Sequence, residues 1–137
     1  MQITTIVVDD MAVDRYLVKR KLSGRDEFGD VLEVESGSQF LEQLDQGLVA
    51  PMADAAGRPL VLLDINMPGL DGFETARALE ARVANGLLPS DLVVMMFTSS
   101  SHPQDRATAA AIPLVCGYIV KPIEDTDVET ILDHYTH

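Results

Sequence analysis

The chain is poor in cysteine, poor in positive charge and free of long apolar runs, and each shortage closes off a class of function. One cysteine, Cys116, in 137 residues excludes an internal disulfide and fits a reducing compartment. Only 10 Lys and Arg stand against 22 Asp and Glu, a net charge of −12. Non-specific nucleic-acid binding needs a basic face, so this balance argues against it. No apolar stretch approaches the ~20 residues needed to span a bilayer, and the N-terminus lacks the basic segment and long apolar core of a signal peptide. The expectation is a cytoplasmic protein with no membrane contact and no direct nucleic-acid contact. His102, His134 and His137 stand at no metal-ligand spacing with Cys116 or an acid cluster. There is no Gly-rich phosphate loop, no internal repeat, no second hydrophobic pattern and no helix-turn-helix. Residues 1–137 therefore read as one domain without an output domain, and at 47% hydrophobic content the chain can bury a real core.

What the chain does have is acids at the ends of apolar runs. Ile6-Val7-Val8 stops at Asp9-Asp10, and Leu60-Val61-Leu62-Leu63 stops at Asp64. Leu92 to Phe97 stops at Thr98-Ser99, and Tyr118-Ile119-Val120 stops at Lys121-Pro122. Short apolar strands alternating with amphipathic stretches predict an α/β fold with a parallel sheet and helices on both faces. In such sheets the strand C-termini share one edge, where ligands bind. Three carboxylates gathered there repel one another unless a hard cation sits among them, and oxygen-only ligands suit Mg²⁺. A hydroxyl and an ammonium at the same edge complete a set suited to phosphoryl transfer.

Between the strands, the first helix is expected over about Ala12–Leu22, with Leu17, Val18 and Leu22 inward and Gly24 ending it. Val31–Val34 reads as a short edge strand. The second helix opens at Ser36-Gly37-Ser38-Gln39 and places Phe40, Leu41, Leu44 and Leu48 on one face. Residues 47–59 read as a loop broken by Pro51, Gly57 and Pro59, a tolerated surface insertion with a specificity role as the alternative. Asp71 and Glu74 form a capping box for a third helix that buries Gly72, Phe73, Ala76, Leu79 and Val83 and ends at Asn85-Gly86. Pro103 fits the first turn of a short helix from Gln104 to Ala111. Gly117 precedes the fifth strand. Thr126 and Glu129 suggest a second capping box, with Val128, Ile131, Leu132 and Tyr135 inward. Cys116 is expected to pack as a small hydrophobe.

The ordered set Val8-Asp9-Asp10, Leu63-Asp64-Ile65-Asn66-Met67-Pro68-Gly69-Leu70-Asp71-Gly72, Thr98-Ser99 and Lys121-Pro122 resembles the receiver domain of two-component response regulators, in its single-domain, chemotaxis-regulator-like form. The resemblance covers essentially the whole chain. It implies a flavodoxin-like, doubly wound, five-stranded parallel sheet in the order 2-1-3-4-5 with five helices.

The resemblance also assigns roles. Asp64 is the phosphoacceptor. Asp9, Asp10, Asp64 and the backbone carbonyl of Asn66 hold Mg²⁺, Asp10 directly and Asp9 mainly through water. Thr98 and Lys121 bind phosphoryl oxygens, and a cis Lys121–Pro122 peptide is implied. Thr98 and Tyr118 form the switch. Asn66 and Ser100 occupy positions that tune how long the phosphoryl group survives. The implied donor is a sensor histidine kinase or a histidine phosphotransfer protein. A downstream protein, or a second copy in a homodimer, is met through the fourth helix, fifth strand and fifth helix. On this reading the chain is not an enzyme beyond phosphorylating and dephosphorylating itself.

Two rival readings remain open. One is a Mg²⁺-dependent phosphohydrolase passing through an aspartyl phosphate. Such enzymes place a second acid two residues after the nucleophile, where this chain has Asn66, which cannot move a proton. The other is a non-phosphorylated scaffold, against which the intact set of site residues argues. Taken singly, each site residue also has a structural reading: acids at a helix start, a strand-end hydroxyl, an exposed lysine.

Overall fold

A computed structural model describes residues 2–48 and 58–136. In chain order the elements are β1 (Ile3–Val8), α1 (Ala12–Ser23), β2 (Phe28–Val34), α2 (Gly37–Gln43), β3 (Leu60–Leu63), α3 (Gly72–Ala84), β4 (Val93–Thr98), α4 (Pro103–Ala110), β5 (Val115–Val120) and α5 (Asp125–Thr136). The five strands form one sheet in the order β2-β1-β3-β4-β5, and every pairing is parallel. This is the flavodoxin-like arrangement expected from the sequence, with the sheet order reversing between β1 and β3.

The apolar runs are continuous because both faces of the sheet are covered. Successive side chains point to opposite faces, so Ile6, Val8, Val61, Leu63, Val94 and Met96 join Phe40, Leu41, Ala76, Leu79 and Ala109 under α2, α3 and α4. Val7, Leu60, Leu62, Val93, Met95 and Phe97 join Val18, Leu22, Val128 and Ile131 under α1 and α5. Burial of each such aliphatic side chain stabilises the fold by about 1.5–3 kcal/mol.

The helix starts follow local chemistry. Ser36 accepts a hydrogen bond from the Gln39 N–H at the start of α2. Asp71 and Glu74 form the expected reciprocal capping box on α3. The α3 start also needs Gly72: a Cβ there would lie 2.3 Å from the Asp64 carbonyl oxygen, so a larger residue would push the helix off the end of β3.

Several expected boundaries and contacts move. β2 begins at Phe28 rather than Val31, because Phe28 buries its ring while the polar residues between face solvent at the sheet edge. Leu17 is exposed, and the buried face of α1 is Arg15, Val18 and Leu22. Gly117 lies inside β5 rather than before it. The register slips at this point, with Val94 opposite Val115 and Met95 opposite Gly117, and a Cβ on Gly117 would sit 2.9 Å from the Met95 side chain. Cys116 is thereby left exposed on the edge strand instead of packing inward. Thr126 and Glu129 do not form the second capping box: at the start of α5 the Asp127 carboxylate accepts from the Glu124 N–H, half of such a box, while Glu129 pairs with Arg25. α2 passes at Leu44 into one wide turn of π-helix ending at Leu48. Of the expected loop over 47–59, residues 49–57 lie outside the described residues.

Candidate functional site

The parallel register brings the acids together. Val8 pairs with Leu63, so Asp9 and Asp64 leave β1 and β3 side by side, and the Asp64 N–H donates to the Val8 carbonyl at 3.0 Å. Asp10 follows directly. One carboxylate oxygen from each of Asp9, Asp10 and Asp64 lies within 4.8 Å of the others. Asp9 and Asp64 are buried and Asp10 is exposed, so the cluster opens to solvent on one side.

Lys121 enters from the end of β5, next to a cis Lys121–Pro122 peptide. Its N–H donates to the Thr98 carbonyl at 2.8 Å, which ties the ends of β4 and β5 together. Its ammonium lies 2.7 Å from Asp9 Oδ2 and 3.6 Å from Asp64 Oδ2. It donates a hydrogen bond to Asp14 Oδ2 at 2.9 Å. The Phe97 ring lies under it, 5.3 Å from the centroid.

This environment perturbs both groups. Burial pushes the Asp64 carboxyl up to about 6; Lys121 and the Asn66 N–H pull it down, and the Asp9 and Asp10 charges push it further up. Burial acts to lower Lys121, but the contacts with Asp14, Asp9 and Asp64 outweigh it, and the ammonium is held above its ordinary value. Three acids and one lysine leave the cluster net negative. Asp9 Oδ2 is buried, and the Lys121 ammonium is in direct contact with it. An oxygen-only, net negative cluster with an open side fits a hard divalent cation held by Asp9, Asp10 and Asp64.

The other expected residues fall at the same edge in different settings. Thr98 is fully buried at the end of β4, and its hydroxyl oxygen accepts from the Ser100 N–H at 3.2 Å. Asn66 is exposed in the turn after β3. Tyr118 stands apart from the acids. It is half-buried, donates its hydroxyl to the Ser100 carbonyl at 2.8 Å, and carries the Arg106 guanidinium 4.6 Å from its ring centroid. Ser100 thus joins Thr98 to Tyr118, and its own hydroxyl donates to Asp105 of α4 at 2.6 Å.

Two supporting residues escaped the sequence reading. Arg15 donates to the Asp9 carbonyl at 2.6 Å and to Glu33 at 3.3 Å, which fixes the turn carrying Asp9. Asp14 holds Lys121. The available signal for Asp14 was an acid in the first turn of a helix that starts at the acid pair. Nothing in the spacing of Arg15 marks it for burial.

Residues 5–133 match the sequence profile of the response regulator receiver domain. The nitrate/nitrite response regulator protein NarL of Escherichia coli is 30% identical over 125 residues, 91% of this chain and 50% of NarL; the chain spans about half the length of that relative. The chemotaxis protein CheY-3 of Vibrio cholerae is 30% identical over 129 residues, 93% of this chain and 87% of CheY-3. Among solved structures, a two component response regulator from Cytophaga hutchinsonii superposes with a TM-score of 0.83 at 22% identity, covering 99% of this chain and 98% of that one.

Proposed function

The chain belongs to the response regulator receiver domain family, and from that premise we propose that it takes a phosphoryl group from a phosphohistidine onto Asp64. The observation that carries this reading is the buried Asp64 carboxylate, clustered with Asp9 and Asp10 and facing the Lys121 ammonium at 3.6 Å.

On this reading an Asp64 oxygen attacks phosphorus. The new P–O bond forms as the P–N bond to the donor histidine breaks, and the electron pair leaves on the imidazole nitrogen, which takes up a proton. Bound Mg²⁺, held by Asp9, Asp10 and Asp64, would neutralise charge on the transferring group. With its carboxyl pushed up to about 6, chiefly by burial, Asp64 is mostly ionised at neutral pH. Lys121 offers its ammonium to a phosphoryl oxygen, and Thr98 offers its hydroxyl to another once it turns from Ser100. Small Ser99 leaves room beside Thr98. The donor is a sensor histidine kinase or a histidine phosphotransfer protein, and the protein works in the cytoplasm. It performs no chemistry on other substrates.

Phosphorylation adds charge and acceptor oxygens at a sheet edge that already has acids. Thr98 is drawn toward that group, and Ser100 carries the change to Tyr118 and α4, since its backbone contacts both Thr98 and Tyr118. The altered face of α4, β5 and α5 is the surface read by a protein partner or a second copy of the chain.

The test is phosphoramidate with Mg²⁺. One phosphoryl group should be gained, should be lost in hydroxylamine as an acyl phosphate must be, and should be absent from Asp64→Asn. A hydroxylamine-stable ester on Thr98, Ser99 or Ser100 would overturn the reading.

A further inference from the structure

Lys121 is held by an acid that none of the strand ends supplies. Asp14, in the first turn of α1, accepts a hydrogen bond from Lys121 Nζ at 2.9 Å. The same ammonium is 3.6 Å from Asp64 Oδ2, outside hydrogen-bond length. Asp9 Oδ2 lies 2.7 Å from the ammonium, so the lysine is held between Asp9 and Asp14, short of hydrogen-bond contact with Asp64. We propose that Asp14 is a positioning residue that holds Lys121 back from Asp64 in the unphosphorylated protein, so that a phosphoryl group acquires Lys121 only by taking it from Asp14. This rests on the reading of Asp64 as the phosphoacceptor.

The charges set the direction. A phosphoryl group carries nearly two negative charges and several acceptor oxygens, and competes well against one carboxylate for an ammonium. The Asp14 side chain is 24% exposed against 11% for Lys121, so water replaces the lysine when it leaves. The contact that must be given up is that of a partly screened ion pair. Without Asp14 only the Asp9 contact restrains Lys121, and an anion on Asp64 binds the lysine at lower cost. A cation meets the opposite effect: Lys121, already against Asp9, closes on Asp64 as well when released from Asp14 and competes with metal there. Asp14 thus favours the metal-bound, unphosphorylated state and acts as a brake on the phosphorylated one.

Beryllofluoride at saturating Mg²⁺, followed by NMR, tests this on wild type, Asp14→Asn, Lys121→Met and the double variant. Asp14→Asn should bind beryllofluoride about threefold to tenfold more tightly, the range of a partly exposed hydrogen-bonded ion pair. In the Lys121→Met background the same change should have no effect. Asp14→Glu, which restores the charge, should return the affinity toward wild type, and Asp14→Ser replaces Asp14→Asn if that variant does not fold. Equal or weaker binding by Asp14→Asn would overturn the inference, as would equal tightening in the Lys121→Met background, which would mark a plain charge effect. A wild-type protein that binds no beryllofluoride would remove the phosphoacceptor reading, and this inference with it.

Discussion

Replacing Asp64 by Asn should stabilise the metal-free protein, and the gain should depend on pH. Burial is the main reason that the Asp64 carboxyl is pushed from 3.8 to about 6, with the neighbouring acids adding to it. Between these values the folded protein keeps a proton that the unfolded chain has lost. Stability therefore falls as pH rises from about 4 to 6 and levels off above. A shift of roughly two units corresponds to about 3 kcal/mol at ~1.4 kcal/mol per unit. Water reaching the open side of the cluster reduces this to about 2 kcal/mol. Asn is nearly the same shape and carries no charge, so Asp64→Asn should recover that amount above pH 7, a Tm rise of several degrees to about 10 °C for a domain of this size. Urea unfolding of both proteins in EDTA, from pH 4.5 to 8, measures the difference, and the shared histidines cancel. The gap should be small at pH 4.5 and should open to its full value by pH 7. Saturating Mg²⁺ should narrow it, because the ion stabilises the ionised wild-type site more. A gap of the same size at both ends of the range, or a wild type more stable than Asp64→Asn at pH 8, would refute the reasoning.

Asp10→Ala should abolish phosphorylation without unfolding the domain, because the exposed Asp10 contributes charge and a ligand but no packing; a collapsed thermal melt or undiminished phosphorylation would contradict this. Thr98→Ala should still be phosphorylated at Asp64 but should lose the beryllofluoride-induced NMR shifts at Tyr118 and in α4, since the Ser100 N–H loses its Thr98 acceptor; wild-type shifts at Tyr118 would rule out this route. Gly72→Ala should destabilise the fold by about 3 kcal/mol or prevent folding, because its methyl would lie 2.3 Å from the Asp64 carbonyl oxygen; an unchanged Tm would show that the α3 start can shift freely.

Much of the sheet was legible because it is parallel and covered on both faces. That arrangement writes each central strand as a solid apolar run, and each run here stops at a polar residue on the ligand-binding edge. The strands that were misjudged are the two edges. β2 alternates buried and exposed positions weakly, and β5 is interrupted by Gly117, whose missing side chain admits Met95 from the neighbouring strand. An edge strand is shaped by one neighbour, so its own sequence carries less of the signal. The acids, Thr98 and Lys121 were legible because they sit at strand ends. Asp14 and Arg15 were not, because their importance lies in partners 107 residues away in one case and in a backbone carbonyl in the other. Helical spacing suggests Leu17 as inward, but the inward face of α1 carries Arg15 with Val18 and Leu22, and Arg15 is buried to secure the Asp9 turn.

The claim on which the rest depends is that the phosphoryl group sits on Asp64 as a mixed anhydride. Borohydride reduces an aspartyl phosphate to homoserine and leaves free carboxylates and phosphoesters untouched. Treating the protein with phosphoramidate and Mg²⁺, reducing it and sequencing its peptides by mass spectrometry should place homoserine at position 64, only when Mg²⁺ is present. Homoserine at position 9 or 10, or an intact Asp64 in a protein that has gained a phosphoryl group elsewhere, would contradict the account.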